Sequence, residues 1–99
     1  MDDRFDNVEW DERKSAKNAL LRGFGFDFAA QLFFKDYVER ENRERDFGEP
    51  RFVAIGRVGA LIVTVIWTPR GANRRIVSAR PASRKERKIY HGHRKKETL

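Results

Sequence analysis

The sequence contains no cysteine, which excludes disulfide bonds, thiolate metal sites and cysteine nucleophiles. It also lacks a long hydrophobic run, because its most apolar stretch, Ala60 to Trp67, is far too short to cross a bilayer. The N-terminus is acidic, whereas a secretory signal peptide begins with basic and then apolar residues. These absences predict a soluble cytoplasmic protein with no membrane partner.

Groups that commonly carry out catalysis are scarce. The only histidines are His91 and His93, and the second half of the chain contains just two carboxylates, Glu86 and Glu97, so no metal centre is expected. The seven glycines form neither a P-loop nor a dinucleotide fingerprint, and none of the serines lies in a nucleophile elbow. The sequence therefore predicts no cofactor and disfavours most familiar enzyme classes.

Acidic residues are unevenly distributed along the 99 residues. Residues 1–50 contain nine basic and 13 acidic residues, a net charge of −4, whereas residues 51–99 contain 13 basic and two acidic residues, a net charge of +11. A basic half of this kind attracts a polyanion, and such binding weakens as the salt concentration rises. RNA, DNA and an acidic protein all fit, and the arginines could also serve solubility alone.

Hydrophobic residues make up 39% of the chain, enough for the core of one small domain. Loose alternation over Phe5 to Trp10 predicts a short edge strand. Asp11 is placed to cap a first helix that ends at Arg22, with Gly23 as its C-terminal stop. Asp27 is placed to cap a second short helix that runs to about Phe34.

The second half of the chain has the composition of a sheet. Residues 35–50 are polar and predict a loop, with room for an edge strand at Tyr37 to Glu41. Three β-rich runs follow, and their links are too short for crossovers, which predicts an antiparallel meander. These runs are Arg51 to Val58, Leu61 to Thr68 and Arg75 to Arg80.

The residues after the third run predict a helix. Pro81 ends the strand because it cannot donate to the sheet, and Ser83 with Glu86 has the spacing of a capping box. A basic helix from Ser83 to Tyr90 is expected. The predicted architecture is α+β: two N-terminal helices packed on an antiparallel meander of three to four strands, followed by this helix. We expect a single domain over residues 1–90 and a disordered basic tail over residues 91–99.

Arginines concentrate around the third run. Arg75, Arg80, Arg84 and Arg87 fall within thirteen residues, and a guanidinium offers paired donors to phosphate oxygens. Internal transesterification of RNA fits a metal-free basic surface, because the ribose 2′-hydroxyl is itself the nucleophile. The protein then needs to align the backbone, stabilise the phosphorane and assist proton transfer.

Two groups of candidate residues follow. The catalytic candidates are Arg80, Arg75, Glu49 and Tyr90, and Glu86 is a further candidate for proton transfer. The candidates for RNA contact are Arg57, Arg70, Arg84, Arg87 and Lys88.

Each candidate has a simpler explanation. Strand alternation places Arg75 and Arg80 on opposite faces unless a bulge intervenes. Arg57 fits an ordinary edge-strand charge, and Glu49 fits an ion pair with a neighbouring arginine. Tyr90 fits an aromatic packed beneath the helix.

Two parts of the sequence have a distinctive order of residues: a WD…K…N…G…F pattern in the first 26 residues and the run RIVSAR with a basic helix after it. The first part consists of Trp10, Asp11, Lys14, Asn18, Gly23 and Phe26. The same order also includes Gly48, Glu49, Arg51, Ile55, Gly56, Arg75 to Arg80, Glu86 and Tyr90. With these residues the chain resembles, over residues 5–90, the BrnT family of type II toxins.

This resemblance implies a RelE-like ribonuclease fold, cleavage of cellular RNA and growth arrest. It also implies neutralisation by a BrnA-type antitoxin, a ribbon-helix-helix protein in a hetero-oligomer that binds operator DNA. Two departures from the family pattern replace histidines: the chain has Leu21-Arg22-Gly23 at the end of the first helix and Arg45-Asp46 before Phe47. Arginine is a poor proton acceptor, so these departures leave a second hypothesis open, a nucleic-acid- or partner-binding module without catalytic activity.

Overall fold

The computed structural model describes residues 7–42 and 48–97. It contains a five-stranded sheet and three α-helices, an α+β fold. The predicted replacement of histidine at Arg45-Asp46 and the start of the predicted first strand at Phe5 lie outside the described residues. The elements in chain order are β1 (Asn7–Trp10), α1 (Glu12–Arg22), α2 (Phe26–Ala29), a 3₁₀ turn (Ala30–Phe34), β2 (Tyr37–Glu41), β3 (Phe52–Val58), β4 (Leu61–Arg70), β5 (Asn73–Pro81) and α3 (Arg84–Glu97).

The sheet is mixed and has the strand order β1-β5-β4-β3-β2. The predicted meander is confirmed for β3, β4 and β5, which pair antiparallel, and β2 pairs antiparallel with β3. The prediction of three to four antiparallel strands matches β2 to β5, but the sheet is larger than predicted, because β1 adds a fifth strand that pairs parallel with β5. A four-residue strand carries no sequence signal for its direction, and its partner lies more than sixty residues away in the chain.

The first helix follows its predicted signals. The Asp11 carboxylate accepts hydrogen bonds from the backbone N–H of Arg13 at 2.8 Å and of Lys14 at 3.3 Å. At the other end, Gly23 has a φ of +89° and its N–H donates to the Ala19 carbonyl. Glycine adopts this left-handed conformation without the steric cost of a Cβ, so the chain turns there.

The second helix begins earlier than predicted. Its N-cap is Gly25, and Asp27 lies inside the first turn, so the prediction of Asp27 as the cap was wrong. The Phe26 N–H donates instead to the Ser15 hydroxyl of α1 at 2.8 Å. A side chain on another helix thus replaces the local cap, which local sequence patterns do not reveal.

The sheet buries an apolar core on each of its faces. On the first face, α2 and the 3₁₀ turn cover a large core that includes Phe26, Leu32, Val65 and Trp67. On the second face, α3 covers a smaller core that consists of Ile55, Ile62, Ala82 and Tyr90. The sheet is therefore the middle layer between the N-terminal helices and α3.

Helix α3 begins with the predicted capping box. The Ser83 N–H donates to the Glu86 carboxylate at 2.8 Å and the Glu86 N–H donates to the Ser83 hydroxyl at 3.2 Å. The predicted end at Tyr90 was wrong, because the helix continues to Glu97. Arg94 accounts for part of this extension, since it forms an ion pair with Asp36 at 3.5 Å beside β2. In the two described ranges, 7–42 and 48–97, no helix has the length and apolarity needed to span a membrane.

Candidate nucleic-acid interface

A β-bulge in β5 determines where its arginines point. Ser78 pairs with Ile66 and Ile76 pairs with Trp67, so Val77 is an extra residue without a partner in β4. As a result Ile76 and Ala79, three residues apart, both lie in the core on the α2 side. Arg75 and Arg80 therefore both lie on the other face. Unbroken alternation along the strand would have placed them on opposite faces.

Strand pairing places most strand arginines on that same face, which also carries α3. Cross-strand partners share a face, and alternate residues along a strand share a face. Arg40 pairs with Val53 on this face, and Arg57 follows Ile55 by two residues. Among the arginines of the described strands, only Arg74 faces the α2 side. We call the other side the arginine face; its members are Arg40, Arg57, Arg70, Arg75 and Arg80.

Arg80 is held in a tight ion pair at the middle of the arginine face. Its guanidinium donates to both Glu86 carboxylate oxygens, at 2.6 and 2.9 Å. Thr64, its partner in β4, donates its hydroxyl to the same carboxylate at 3.0 Å. The hydrogen bond from Arg80 is the main cause that lowers the pKa of Glu86 to about 2, and it raises the pKa of Arg80. Glu86 therefore remains ionised at neutral pH and is a very weak proton acceptor.

A looser group of charges lies at one end of the arginine face. The Glu49 carboxylate is 3.9 Å from the Arg70 guanidinium and 3.9 Å from that of Arg51. Pro50 is held over this end by a hydrogen bond of 2.6 Å from the Thr68 hydroxyl to its carbonyl, and Thr68 pairs with Arg75 in β5. Glu49, Arg70 and Arg75 are thus brought to the same end of the sheet.

Arg75 has a carboxylate neighbour of its own. Its guanidinium is 3.9 Å from the Glu9 carboxylate of β1, and both side chains are about a third exposed. Partly exposed ion pairs at such distances contribute little free energy, so phosphate oxygens can replace the carboxylates. Arg70 and Arg75 are therefore better placed for exchange onto phosphate than Arg80.

The predicted residues do not form a single cluster. The β4 partners of Arg75 and Arg80 are Thr68 and Thr64, four residues apart, a separation of about 13 Å along the sheet. Arg57 pairs with Ile62, six residues from Thr68, and so lies roughly 20 Å from Arg75. The arginine face therefore extends along the sheet as a strip.

Three predicted RNA-contact residues lie on the exposed surface of α3. Arg84, Arg87 and Lys88 are exposed, and Arg87 donates to the Ala82 carbonyl at 2.9 Å. The flank that borders the arginine face carries Ile89 instead, which lines a small apolar pocket together with Arg40 and Val53. The predicted contribution of these three α3 residues to RNA contact stays a prediction.

Tyr90 is the least accessible of the predicted catalytic residues. Its side chain is 1% exposed and packs with Ile55, Ile62 and Ala82 beneath α3. The Arg94 guanidinium lies 3.4 Å from its hydroxyl oxygen. This environment is that of a packed core aromatic, the simpler explanation that the sequence offered, and it disfavours direct contact with a substrate.

Sequence reasoning did not single out Arg40. It could have been found once the strand pairing was known, because Arg40 pairs with Val53 on the arginine face. In the ranges 7–42 and 48–97, no group of three or more histidine and carboxylate side chains is arranged to hold a metal ion.

The comparison with known proteins gives one family. The model of a family described as the ribonuclease toxin, BrnT, of type II toxin-antitoxin systems matches residues 10–86. This match covers most of the chain: it begins at Trp10, the last residue of β1, and includes α1, the bulged strand β5 and the capping box of α3. No curated protein matches the chain.

Proposed function

We propose, because the chain belongs to the BrnT family of ribonuclease toxins of type II toxin-antitoxin systems, that it is an endoribonuclease whose substrate strand lies on the arginine face. The proposed reaction is metal-independent transesterification by the RNA 2′-hydroxyl. Cellular RNA in the cytoplasm is the proposed substrate, and the fold is proposed to be RelE-like.

One observation carries this proposal. The β-bulge at Val77 brings Arg75 and Arg80 to the same face, where Arg40, Arg57 and Arg70 also lie. A strip of guanidinium groups on one side of a rigid sheet is suited to successive phosphates of an extended strand. The N-terminal helices cover the apolar side chains of the opposite face, so that face offers no comparable surface of exposed arginines.

The loosely paired end of the strip is the proposed catalytic centre. Arg70 and Arg75 would bind the scissile phosphate and stabilise the additional charge of the phosphorane. Glu49 would accept the proton of the 2′-hydroxyl, since it is about a third exposed, whereas Glu86 is held by Arg80 and Tyr90 is buried. Arg80 would bind a neighbouring part of the strand or orient the site through Glu86.

The chemistry balances without a further reactant. The 2′-oxygen forms a bond to phosphorus as its proton passes to Glu49, and the bond from phosphorus to the 5′-oxygen breaks. The leaving 5′-oxygen takes a proton from solvent. The products are a 2′,3′-cyclic phosphate and a 5′-hydroxyl end.

The proposed partner is a cognate BrnA-type antitoxin of the ribbon-helix-helix class. An acidic or amphipathic segment that covers the arginine face would neutralise the toxin, because it would compete with phosphate for the same guanidinium groups. The complex would be a hetero-oligomer, and operator DNA would be bound through the antitoxin alone.

Cleavage of defined RNA by the purified full chain tests the reaction. We expect cleavage in the presence of EDTA and products with 2′,3′-cyclic phosphate ends. A substrate with a single 2′-deoxy substitution at the cleaved position should remain intact, because it lacks the nucleophile. Loss of activity in EDTA, or cleavage of the deoxy substrate at that position, contradicts the proposed reaction.

A matched pair of variants tests the site. Arg75→Ala removes a guanidinium from the proposed centre, whereas Arg84→Ala removes one from the solvent side of α3. We expect the first to lower the cleavage rate about 10²-fold and the second to lower it much less, because a well-placed charge donor contributes on that order. Equal losses would contradict the placement of the centre at this end of the strip.

A binding module without catalysis is the second candidate function. It is favoured by the state of the proton-transfer candidates, because Glu86 has a pKa of about 2 and Tyr90 is buried. In that case the chain would bind RNA tightly and in a salt-sensitive manner, and the RNA would stay intact.

A further inference from the structure

A basic groove lies outside the arginine face, between α1 and the edge of β5. Its volume is about 250 Å³. Its cations are Lys14, Lys17 and Arg22 on α1, and its far wall is formed by Val77 and Ser78 at the bulge. The predicted site residues include none of these five, although Arg22 stands where the family pattern has a histidine.

The groove exists because β5 is longer than its neighbour β1. Residues Asn73 to Ile76 of β5 pair with β1, and the chain then turns away into α1 after Trp10. The backbone of β5 beyond Ile76 therefore borders α1 across an open space. Arg22 occupies one side of this space, where its guanidinium donates to the Ala79 carbonyl at 2.9 Å.

The walls of the groove are fixed by buried hydrogen bonds. Asn18 donates to the Phe24 carbonyl at 2.9 Å, and Ser15 accepts from the Phe26 N–H at 2.8 Å. The ring of Phe26, only 2% exposed, forms part of the lining. A site whose backbone and floor are already ordered loses little entropy when it binds a ligand.

The charge of the groove points to an anionic ligand. Among the described residues that line it, three are cationic and none is a carboxylate. The exposed positions of Lys14 and Lys17 allow their ammonium groups to reach a bound strand, and the Ser78 hydroxyl can donate to a phosphate oxygen. Leu21, which is 71% exposed, adds an apolar surface for a ribose or base.

We propose that the groove between α1 and β5 is a second binding site for single-stranded RNA, which holds the phosphodiester backbone through Lys14, Lys17 and Arg22. This inference rests on the proposed function, since it extends the path of the same substrate. Val77 and Ser78 lie between Arg75 and Arg80 in the bulge, so the groove opens beside the arginine face. A strand bound there crosses the edge of β5 and enters the groove.

Binding of an uncleavable strand tests this proposal without relying on catalysis. The probe is a short RNA in which every ribose is 2′-O-methylated, and its affinity for the full chain is measured by fluorescence anisotropy over a series of salt concentrations. The test variant is Lys14→Gln with Lys17→Gln. The control variant is Arg13→Gln with Lys35→Gln, which removes the same charge from exposed positions that do not line the groove.

We expect the test variant to raise the Kd about tenfold at low salt and to reduce the slope of log K against log salt by about 1.4, the value for two lost phosphate contacts on a single strand. The control variant should change both quantities much less. Lys14→Arg with Lys17→Arg should retain the affinity of the natural chain. Thermal melts should be unchanged in all three, because the altered side chains are exposed.

Two outcomes overturn the proposal. In the first, the test and control variants weaken RNA binding equally, which means that the lysines of the groove act only through the overall charge of the protein. In the second, RNA binding stays at the level of the control while binding of an acidic peptide is lost, which assigns the groove to a protein partner. A chain that binds the methylated strand through the groove but never cleaves unmodified RNA contradicts only the proposed function.

Discussion

Arg80 and Glu86 are joined by a two-fold hydrogen-bonded ion pair that fastens α3 to the end of β5. The same carboxylate also accepts from the Thr64 hydroxyl and from the Ser83 N–H. Glu86 therefore links the central strand of the sheet, its neighbour and the first turn of the helix. This arrangement gives Arg80 a structural role whether or not it also touches RNA.

Substitution of each partner separates these two roles. Arg80→Ala and Glu86→Gln both break the ion pair, and each should lower the free energy of unfolding by about 1 to 3 kcal/mol, a range reduced because Arg80 is 36% exposed. Only Arg80→Ala removes the guanidinium. If Arg80 contacts RNA, its loss should lower the cleavage rate about 10²-fold, whereas Glu86→Gln should cleave within a few-fold of the natural chain.

Urea unfolding gives the stability change, and cleavage is then measured at a temperature where both variants are folded. Equal losses of cleavage in the two folded variants would restrict Arg80 to its structural role. Full cleavage by Arg80→Ala would remove it from the site altogether.

The ion pair should also make stability depend on pH in the acidic range. Folding lowers the pKa of Glu86 from 4.5 to about 2, chiefly through the hydrogen bond from Arg80. A carboxyl with a lowered pKa stabilises the folded state fully above its unfolded pKa, and this contribution is lost as the pH falls from about 4.5 toward 2. Unfolding of the natural chain and of Glu86→Gln should therefore differ most above pH 5 and converge toward pH 2. A gap that widens on acidification would contradict the assignment.

Local signals in the sequence predicted most of the helices and strands. The caps of α1, the β-rich runs of β3 to β5 with their short links, and the capping box of α3 each depend on residues only a few positions apart, and all three were confirmed. The parallel pairing of β1 and the cap of α2 by Ser15 depend on contacts between distant parts of the chain. Such contacts leave no periodic pattern, so they became visible only in the structure.

The candidate site shows the same division. The sequence identified Arg75 and Arg80 and also the condition for their sharing a face, a bulge. It could not place the bulge, because Val77 is an ordinary β-branched strand residue whose missing partner is a property of the register with β4. The groove beside α1 was missed for the same reason, since its two walls are about sixty residues apart in sequence.

Arg74 and Arg75 are adjacent in sequence, but their substitution should have different effects on stability. Arg74 is 7% exposed, lies 4.6 Å from the Phe33 ring centre and 5.1 Å from that of Trp67, and donates to the Tyr37 hydroxyl at 3.0 Å. Arg74→Ala should lower the free energy of unfolding by roughly 3 kcal/mol, because it removes buried packing, two cation–π contacts and a hydrogen bond.

Arg75→Ala should change the free energy of unfolding by less than about 0.5 kcal/mol, because its ion pair with Glu9 is long and partly exposed. Urea unfolding of both variants, with cleavage measured on the folded protein, checks this contrast. Similar destabilisation by both would contradict the division of these residues between the core and the arginine face.

Tyr90 can be tested with a change of a single oxygen atom. Tyr90→Phe removes the hydroxyl but retains the ring that packs with Ile55 and Ile62. The hydroxyl has one long contact, 3.4 Å from Arg94, so its loss should cost less than about 1 kcal/mol of stability. Cleavage should stay within a few-fold of the natural chain, because a side chain that is 1% exposed cannot reach a substrate on the surface.

Tyr90→Ala supplies the matched comparison, since it removes the ring as well. It should lower the free energy of unfolding by about 3 to 5 kcal/mol through the cavity that it leaves between α3 and the sheet. Both activities are measured below the melting temperature of each variant. If Tyr90→Ala loses activity and Tyr90→Phe retains it, the ring is the part of Tyr90 that supports α3. A stable Tyr90→Phe chain that no longer cleaves RNA would instead require the hydroxyl to reach the substrate, and α3 would then have to move away from Ile55 during the reaction.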